Sequence, residues 1–232
     1  MAPSALSDSF VATSALITGS LPVSFHHRSL LLALLHFLRF LDQQLVLALN
    51  QLHTPLLDSL MQIASSRLAW VPVLLLALRP LWRAYGASWW RVLLPLALSV
   101  ATTNWLASAW IKPWVSRPRP CQVASLLPLL HLPAGCSTSY SFLSTHTADL
   151  VTLVFGLIWM LPRLPWSLKV LWLSWALLVA LSRVYLGQHY PSDVLAGVTL
   201  GVLAALGCQW LRQRLPFATQ TPVAQVARKE YS

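Results

Sequence analysis

Acidic side chains are scarce in this chain: six Asp and Glu stand in 232 residues, against 16 Lys and Arg. Charged residues of both signs reach only 9%, where a soluble domain carries about 25%. Too few charges remain to cover a water-facing surface, which excludes an ordinary soluble globular domain. Cysteine is scarce too, with three in all, and Cys208 falls inside an apolar run, where it reads as packing. No cluster of His, Cys and Asp has metal-ligand spacing, so neither a metal nor another cofactor is expected. The net charge of +10 is spread over short clusters, with no continuous basic stripe, which argues against nucleic acid as a partner. Residues 1–27 lack a basic n-region and read as a mobile tail, not a cleaved signal. Internal repeats and low-complexity tracts are absent.

What the chain does have is apolar length. It is 56% hydrophobic with a mean hydropathy of +0.63. A membrane-spanning helix needs about 20 mostly apolar residues. Candidate segments run over residues 30–52, 68–82, 92–111, 148–161, 168–181 and 194–211. The first is interrupted by Arg39, Asp42, Gln43 and Gln44, so it reads either as a span or as a surface-lying helix. The fold class expected is therefore all-α: an integral membrane bundle of five to six transmembrane helices over residues 28–212, followed by a polar tail over 213–232. The 12 tryptophans read as interfacial belts among membrane lipids.

Orientation follows from the loops. Arg79, Arg83 and Arg91 lie between the second and third segments, Arg163 and Lys169 between the fourth and fifth, and Arg212, Arg214, Arg228 and Lys229 after the sixth. If these face the cytoplasm, the remaining loops face the other side. Those loops also carry cations, namely Lys112, Arg117, Arg119 and Arg183, which offends the positive-inside rule unless they bind phosphate. Cys121 and Cys136 flank the loop 122–135 on that side; outside the cytoplasm they would be expected to pair, inside it to stay thiols.

Three motifs sit at the ends of apolar segments, so the active site is expected at one membrane face. The first is Lys112-Pro-Trp-Val-Ser-Arg-Pro-Arg119-Pro120, the second Ser144-Thr145-His146, and the third Ser182-Arg183 followed by His189 and Asp193. Fixed cations at phosphate oxygens supply much of the catalysis of phosphoryl transfer. Lys112, Arg119 and Arg183 suit that task, and Pro113, Pro118 and Pro120 stiffen their turn. Asp193, four residues after His189, can fix one imidazole nitrogen and leave the other free to attack phosphorus. Ser192 or Asp193 can equally cap the last helix. His146 can protonate a leaving oxygen while Ser144 and nearby amides hold the phosphate. Asp149, one turn further on, can orient His146 or face a neighbouring helix, and is left outside the site. His26, His27, His36, His53 and His131 have no partner at motif spacing and read as structural or surface residues.

Together the three motifs resemble the type 2 phosphatidic acid phosphatase superfamily, whose pattern is Lys, six residues, Arg-Pro; then Pro-Ser-Gly-His; then Ser-Arg, five residues, His, three residues, Asp. The middle motif departs: Leu143 stands for Pro and Thr145 for Gly, so a branched side chain enters the phosphate-binding turn. The resemblance runs from about Leu52 to Leu211. It implies a metal-independent membrane lipid phosphatase with His189 as nucleophile, supported by Asp193, and His146 as acid. Lys112, Arg119, Ser144, Thr145 and Arg183 would bind the phosphate. It implies lipid substrates such as undecaprenyl diphosphate, lipid A, phosphatidylglycerophosphate or phosphatidate, in a bacterial inner membrane with the site facing the periplasm or outside. A lipid phosphotransferase working through the same phosphohistidine, and a non-catalytic lipid-binding or transport protein, are the alternatives.

Overall fold

A computed structural model describes residues 23–214; the two stretches read as tails lie largely outside them. Among the described residues every regular element is helical, as the composition requires. The helices are α1 (Val23–Asn50), α2 (Pro55–Ser65), α3 (Val71–Tyr85), α4 (Trp89–Leu106), α5 (Lys112–Val115), α6 (Thr145–Met160), α7 (Trp166–Tyr185) and α8 (Pro191–Arg214). A π-helical turn, Ala107–Ile111, joins α4 to α5. Among the described residues, 23–41 belong to one compact unit and 42–214 to another.

Among the described residues, four stretches are long and apolar enough to cross a membrane: Leu30–Asn50, Leu68–Val115, Trp166–Tyr185 and Pro191–Arg214. The second contains both α3 and α4, and α6 is a shorter apolar helix. Large apolar side chains cover the outer faces, including Leu75, Trp82, Leu94, Trp105, Leu177 and Leu203. Exposure on this scale suits lipid as solvent and is rare on soluble monomers. The chain is a multi-pass membrane protein. α1 begins at Val23, ahead of the expected Leu30, and α2 is an element the sequence reading did not contain. Thr54 caps α2 by accepting from Leu57 N at 3.2 Å, with Pro55 in the first turn.

The second unit is organised on the packing of α6 against α8. In lipid, where apolar surface gives little drive for association, small residues that allow close approach take over. A Cβ on Gly197 would stand 2.6 Å from the Ser144 carbonyl oxygen, and one on Gly201 would stand 2.6 Å from that of Ala148. Hydroxyls add bonds between helices: Thr152 donates to the Gly201 carbonyl at 3.2 Å and Ser99, on α4, to that of Ala204 at 3.0 Å. At the far end of the bundle, Tyr85 donates to the Met160 carbonyl at 2.6 Å and accepts from Arg212 at 3.3 Å, which gathers the ends of α3, α6 and α8. The chemistry-bearing motifs lie at the opposite ends of these helices. A disulfide joins Cys121 and Cys136 across 15 residues, and Cys208 is a buried thiol. Closing a loop of that length stabilises by about 3 kcal/mol.

Two outcomes follow. Gly201→Ala should lower the melting temperature of the purified protein, since overpacking costs about 1–3 kcal/mol. The same change at Gly207, where an added Cβ meets nothing within 4 Å, should not. Equal melting temperatures would contradict the close approach. Alkylation of the denatured, unreduced protein should label Cys208 alone; labelling of Cys121 and Cys136 would contradict the bridge.

Candidate active site

The end of α5 aims the first motif. Ser116 adopts a left-handed conformation, φ 49°, which stops the helix and turns the chain. Pro120 holds the residue before it, Arg119, extended (φ −71°, ψ 157°) and opens a short 3-10 turn over Pro120–Gln122. Lys112 is 7% exposed and Arg119 is 3% exposed, so both cations are taken out of water. Such burial is tolerated only with hydrogen-bond partners. Arg119 has them: its Nε donates to the Ser139 carbonyl at 2.7 Å, Nη2 to Ser139 Oγ at 2.8 Å, and Nη1 to the Gln188 carbonyl at 2.8 Å. Burial pushes its proton affinity down, and the nearby Asp193 carboxylate pushes it back up.

The third motif is built on one carbonyl. The Arg183 oxygen, at the end of α7, accepts from the amides of both Gln188 and His189 at 3.1 Å. Gly187 makes this turn possible with φ 65°, and a Cβ there would stand 2.8 Å from Leu132. Arg183 and His189 are thereby fixed to each other through backbone. The Arg183 guanidinium donates to Ser65 Oγ on α2, while its Nε has no hydrogen-bond partner among the described residues.

His189 is 1% exposed. Its Nε2 lies 3.2 Å from Arg119 Nη1, and its Nδ1 faces Asp193 Oδ2 at 3.8 Å, longer than a hydrogen bond. Burial drives its pKa down to about 3; the nearby Asp193 carboxylate opposes this, while Arg119 and Arg183 add to it. The imidazole is neutral at ordinary pH, with a lone pair available.

A cavity of about 920 Å³ collects Lys112, Arg119, Thr145, His146, Arg183 and His189 on one wall system. Thr145 and His146 open α6 and line the same space. Two of the sequence-predicted residues do not line it. Ser144 is fully buried, with its hydroxyl 3.0 Å from that of Thr147 and its amide donating to the Asp193 carbonyl at 3.1 Å. Asp193 lies behind His189, where Ser141 Oγ and the Tyr190 amide (3.0 Å) donate to Oδ2 and Arg117 donates to Oδ1.

Three residues outside the predicted set belong to this region. Asp149 lines the cavity and accepts from Asn104 at 2.7 Å, so it faces the site and not only a helix neighbour. Asp42 and Arg117 form an ion pair at 2.7 Å beside Asp193. Their positions in sequence carry no pairing signal, although Asp42 is an acid inside an apolar run, which is the kind of residue that needs a partner. His131, by contrast, pairs with Asp58 at 2.8 Å and stacks on His53 away from the cavity. An apolar groove of about 820 Å³ adjoins the cavity, sharing Trp70, Asn104, Ser108 and Asp149 with it.

The sequence model of the PAP2 superfamily matches residues 88–216, more than half of the chain. The chain is 30% identical over 176 residues to the lipid A 4'-phosphatase of Bacteroides thetaiotaomicron, covering 72% of this chain and 75% of that one. It is 35% identical over 115 residues to phosphatidylglycerophosphatase B of Bacillus subtilis, covering 47% of this chain and 52% of that one. The fold is shared with the crystal structure of a transmembrane PAP2 type phosphatidylglycerolphosphate phosphatase from Bacillus subtilis, at a TM-score of 0.59 and 22% identity, over 82% of this chain and 94% of that one. On the motifs, the helical fold and these matches together, the chain belongs to the PAP2 superfamily and is a membrane lipid phosphatase of that type.

Proposed function

We propose that the chain removes phosphate from a lipid of the bacterial envelope at the periplasmic or outer face, through a phosphohistidine on His189. The observation that carries this reading is the two-sided setting of that imidazole: Nε2 toward the cation-lined cavity, Nδ1 toward Asp193. In the proposed step the Nε2 lone pair forms an N–P bond. The P–O bond to the lipid breaks, and its electron pair leaves with the lipid oxygen, which takes a proton from His146. The Nδ1 proton stays on the ring and turns toward the Asp193 carboxylate, which offsets the charge gained by the imidazole. Water then attacks phosphorus and gives its proton to His146; as its O–P bond forms, the N–P bond breaks, the electron pair returns to Nε2, the ring is neutral again and phosphate is released. Lys112, Arg119, Arg183 and the amides at the start of α6 hold the phosphoryl oxygens throughout, while Ser144 supports that turn from behind.

The adjoining apolar groove offers the hydrocarbon part of the substrate a place beside the head-group cavity. Among envelope lipids, the Bacteroides relative favours lipid A as the substrate class. The facing is supported by charge. Arg79, Arg83, Arg91, Arg163, Lys169 and Arg212 collect on the loops and ends nearest the Tyr85–Met160 contact, opposite the cavity, where the positive-inside rule wants the cytoplasm. The Cys121–Cys136 bridge, on the cavity side, suits an oxidising compartment.

His189→Ala should reduce phosphate release from lipid A in mixed micelles by at least about 10³-fold while lipid still binds. Retained turnover would contradict the nucleophile assignment. Release should persist in excess chelator, and a strict metal requirement would count against it. Stability has a pH signature as well. With the folded imidazole held near 3 and an unfolded one near about 6.5, the unfolded chain binds the extra proton between these values. Stability is full above that window and declines as pH falls through it. The melting-temperature difference between wild type and His189→Gln should therefore shrink on acidification; a constant difference would contradict the buried neutral state.

A further inference from the structure

Arg117 and Arg119 are two residues apart across Pro118; the motif assigns phosphate binding to Arg119 and leaves Arg117 as a further loop cation with no role of its own. Their side chains take opposite sides of the His189–Asp193 pair. Arg119 lines the cavity and approaches His189 Nε2 at 3.2 Å. Arg117 does not line the cavity; its Nη1 donates to Asp193 Oδ1 at 2.5 Å, on the face of the carboxylate turned away from the imidazole.

Arg117 is itself fixed at three points. Its Nη2 donates to Asp42 Oδ2 at 2.7 Å, its Nη1 also reaches Ser192 Oγ at 2.8 Å, and its guanidinium lies 3.9 Å over the Tyr190 ring. Asp42 in turn accepts from the Ser192 amide at 3.0 Å and from the Ser192 hydroxyl. Asp42 thus ties the start of α8 and the outer side of Arg117 to one carboxylate. Asp193 is fully buried. A buried carboxylate without a cation gives up its charge or its position, and a planar guanidinium bridging two carboxylates fixes both in direction.

We propose that Arg117 is a positioning residue for the reaction: clamped by Asp42 and stacked on Tyr190, it holds the Asp193 carboxylate charged and aimed at His189 Nδ1, and it does not touch the phosphate. This rests on the reading of His189 as nucleophile. As the ring becomes cationic on forming the N–P bond, the anchored carboxylate closes on the Nδ1 proton, so Arg117 acts in the transition state and not in substrate binding. Asp42 is the far end of the same chain of charges, which makes a residue of α1 part of the catalytic support.

The test is steady-state phosphate release from lipid A in mixed micelles, with inorganic phosphate as competitive inhibitor, for Arg117→Gln, Arg117→Lys, Asp42→Asn, Arg119→Gln and His189→Ala. Arg117→Gln should lower kcat about 10²-fold with KM and the phosphate inhibition constant within about threefold of wild type. Arg117→Lys, which keeps charge but cannot bridge two carboxylates, should lose about tenfold in kcat with the same unchanged KM, and Asp42→Asn should lose less. Arg119→Gln should weaken inhibition by phosphate. Wild-type kcat in Arg117→Gln overturns the inference, and so does a rise in KM or the inhibition constant at constant kcat, which would make Arg117 a phosphate ligand. If Arg117→Gln does not fold, as judged by its melting temperature, Arg117→Lys decides by the same criteria. Turnover surviving in His189→Ala would remove the underlying reading, whereas an inactive His189→Ala beside wild-type Arg117 variants would remove only this inference.

Discussion

Three cations held out of water around one cavity set the problem that the rest of this fold answers. Lys112, Arg119 and Arg183 repel one another, and each has lost most of its hydration. Such an arrangement has no stability of its own; surrounding structure must hold it open for an anion. The restoring forces come from backbone and small residues. Arg119 is held by the carbonyls of Ser139 and Gln188, and Arg183 shares its own carbonyl with the turn carrying His189. On the proposed reading the gain is electrostatic preorganisation: a phosphate would meet donors already in place, and little reorganisation would remain.

The close approach of α6 and α8 is what brings the cavity together in space. Glycines at 197 and 201 let the start of α6, with Thr145 and His146, lie against the helix that begins beside His189. Lys112 arrives from the end of α4 by way of the π-helical turn, and Arg183 from the end of α7. Four helix ends therefore meet at one face, while the ends of α3, α6 and α8 are fastened at the other by Tyr85, Met160 and Arg212. The apolar outer surface lets the bundle keep this polarity in a bilayer, where a charge on the lipid side would be costly.

Much of the helical organisation was legible because hydropathy over some twenty residues is a strong signal. The segments read at 30–52, 68–82, 92–111, 148–161, 168–181 and 194–211 correspond to α1, α3, α4, α6, α7 and α8. α2 escaped, being only 11 residues long and amphipathic. At the site, motif spacing was enough to list residues that now share a cavity, but not to say which face it. Ser144 and Asp193 stand behind it, and Asp149 stands on it. The Asp42–Arg117–Asp193 chain was illegible because its members come from three separate parts of the sequence. The motif spacing singles out Arg119, but only the folded loop shows that Arg117 takes the other side of the His189–Asp193 pair.

The central claim is that His189 carries the phosphoryl group. Rapid acid-free quenching of the purified protein with a lipid A substrate labelled in its phosphate, followed by alkaline digestion and mass spectrometry, tests it most directly. The account predicts an alkali-stable, acid-labile phosphate on the peptide containing His189, absent from His189→Ala. Label on another residue, or turnover with no phosphorylated protein at any quench time, would contradict it.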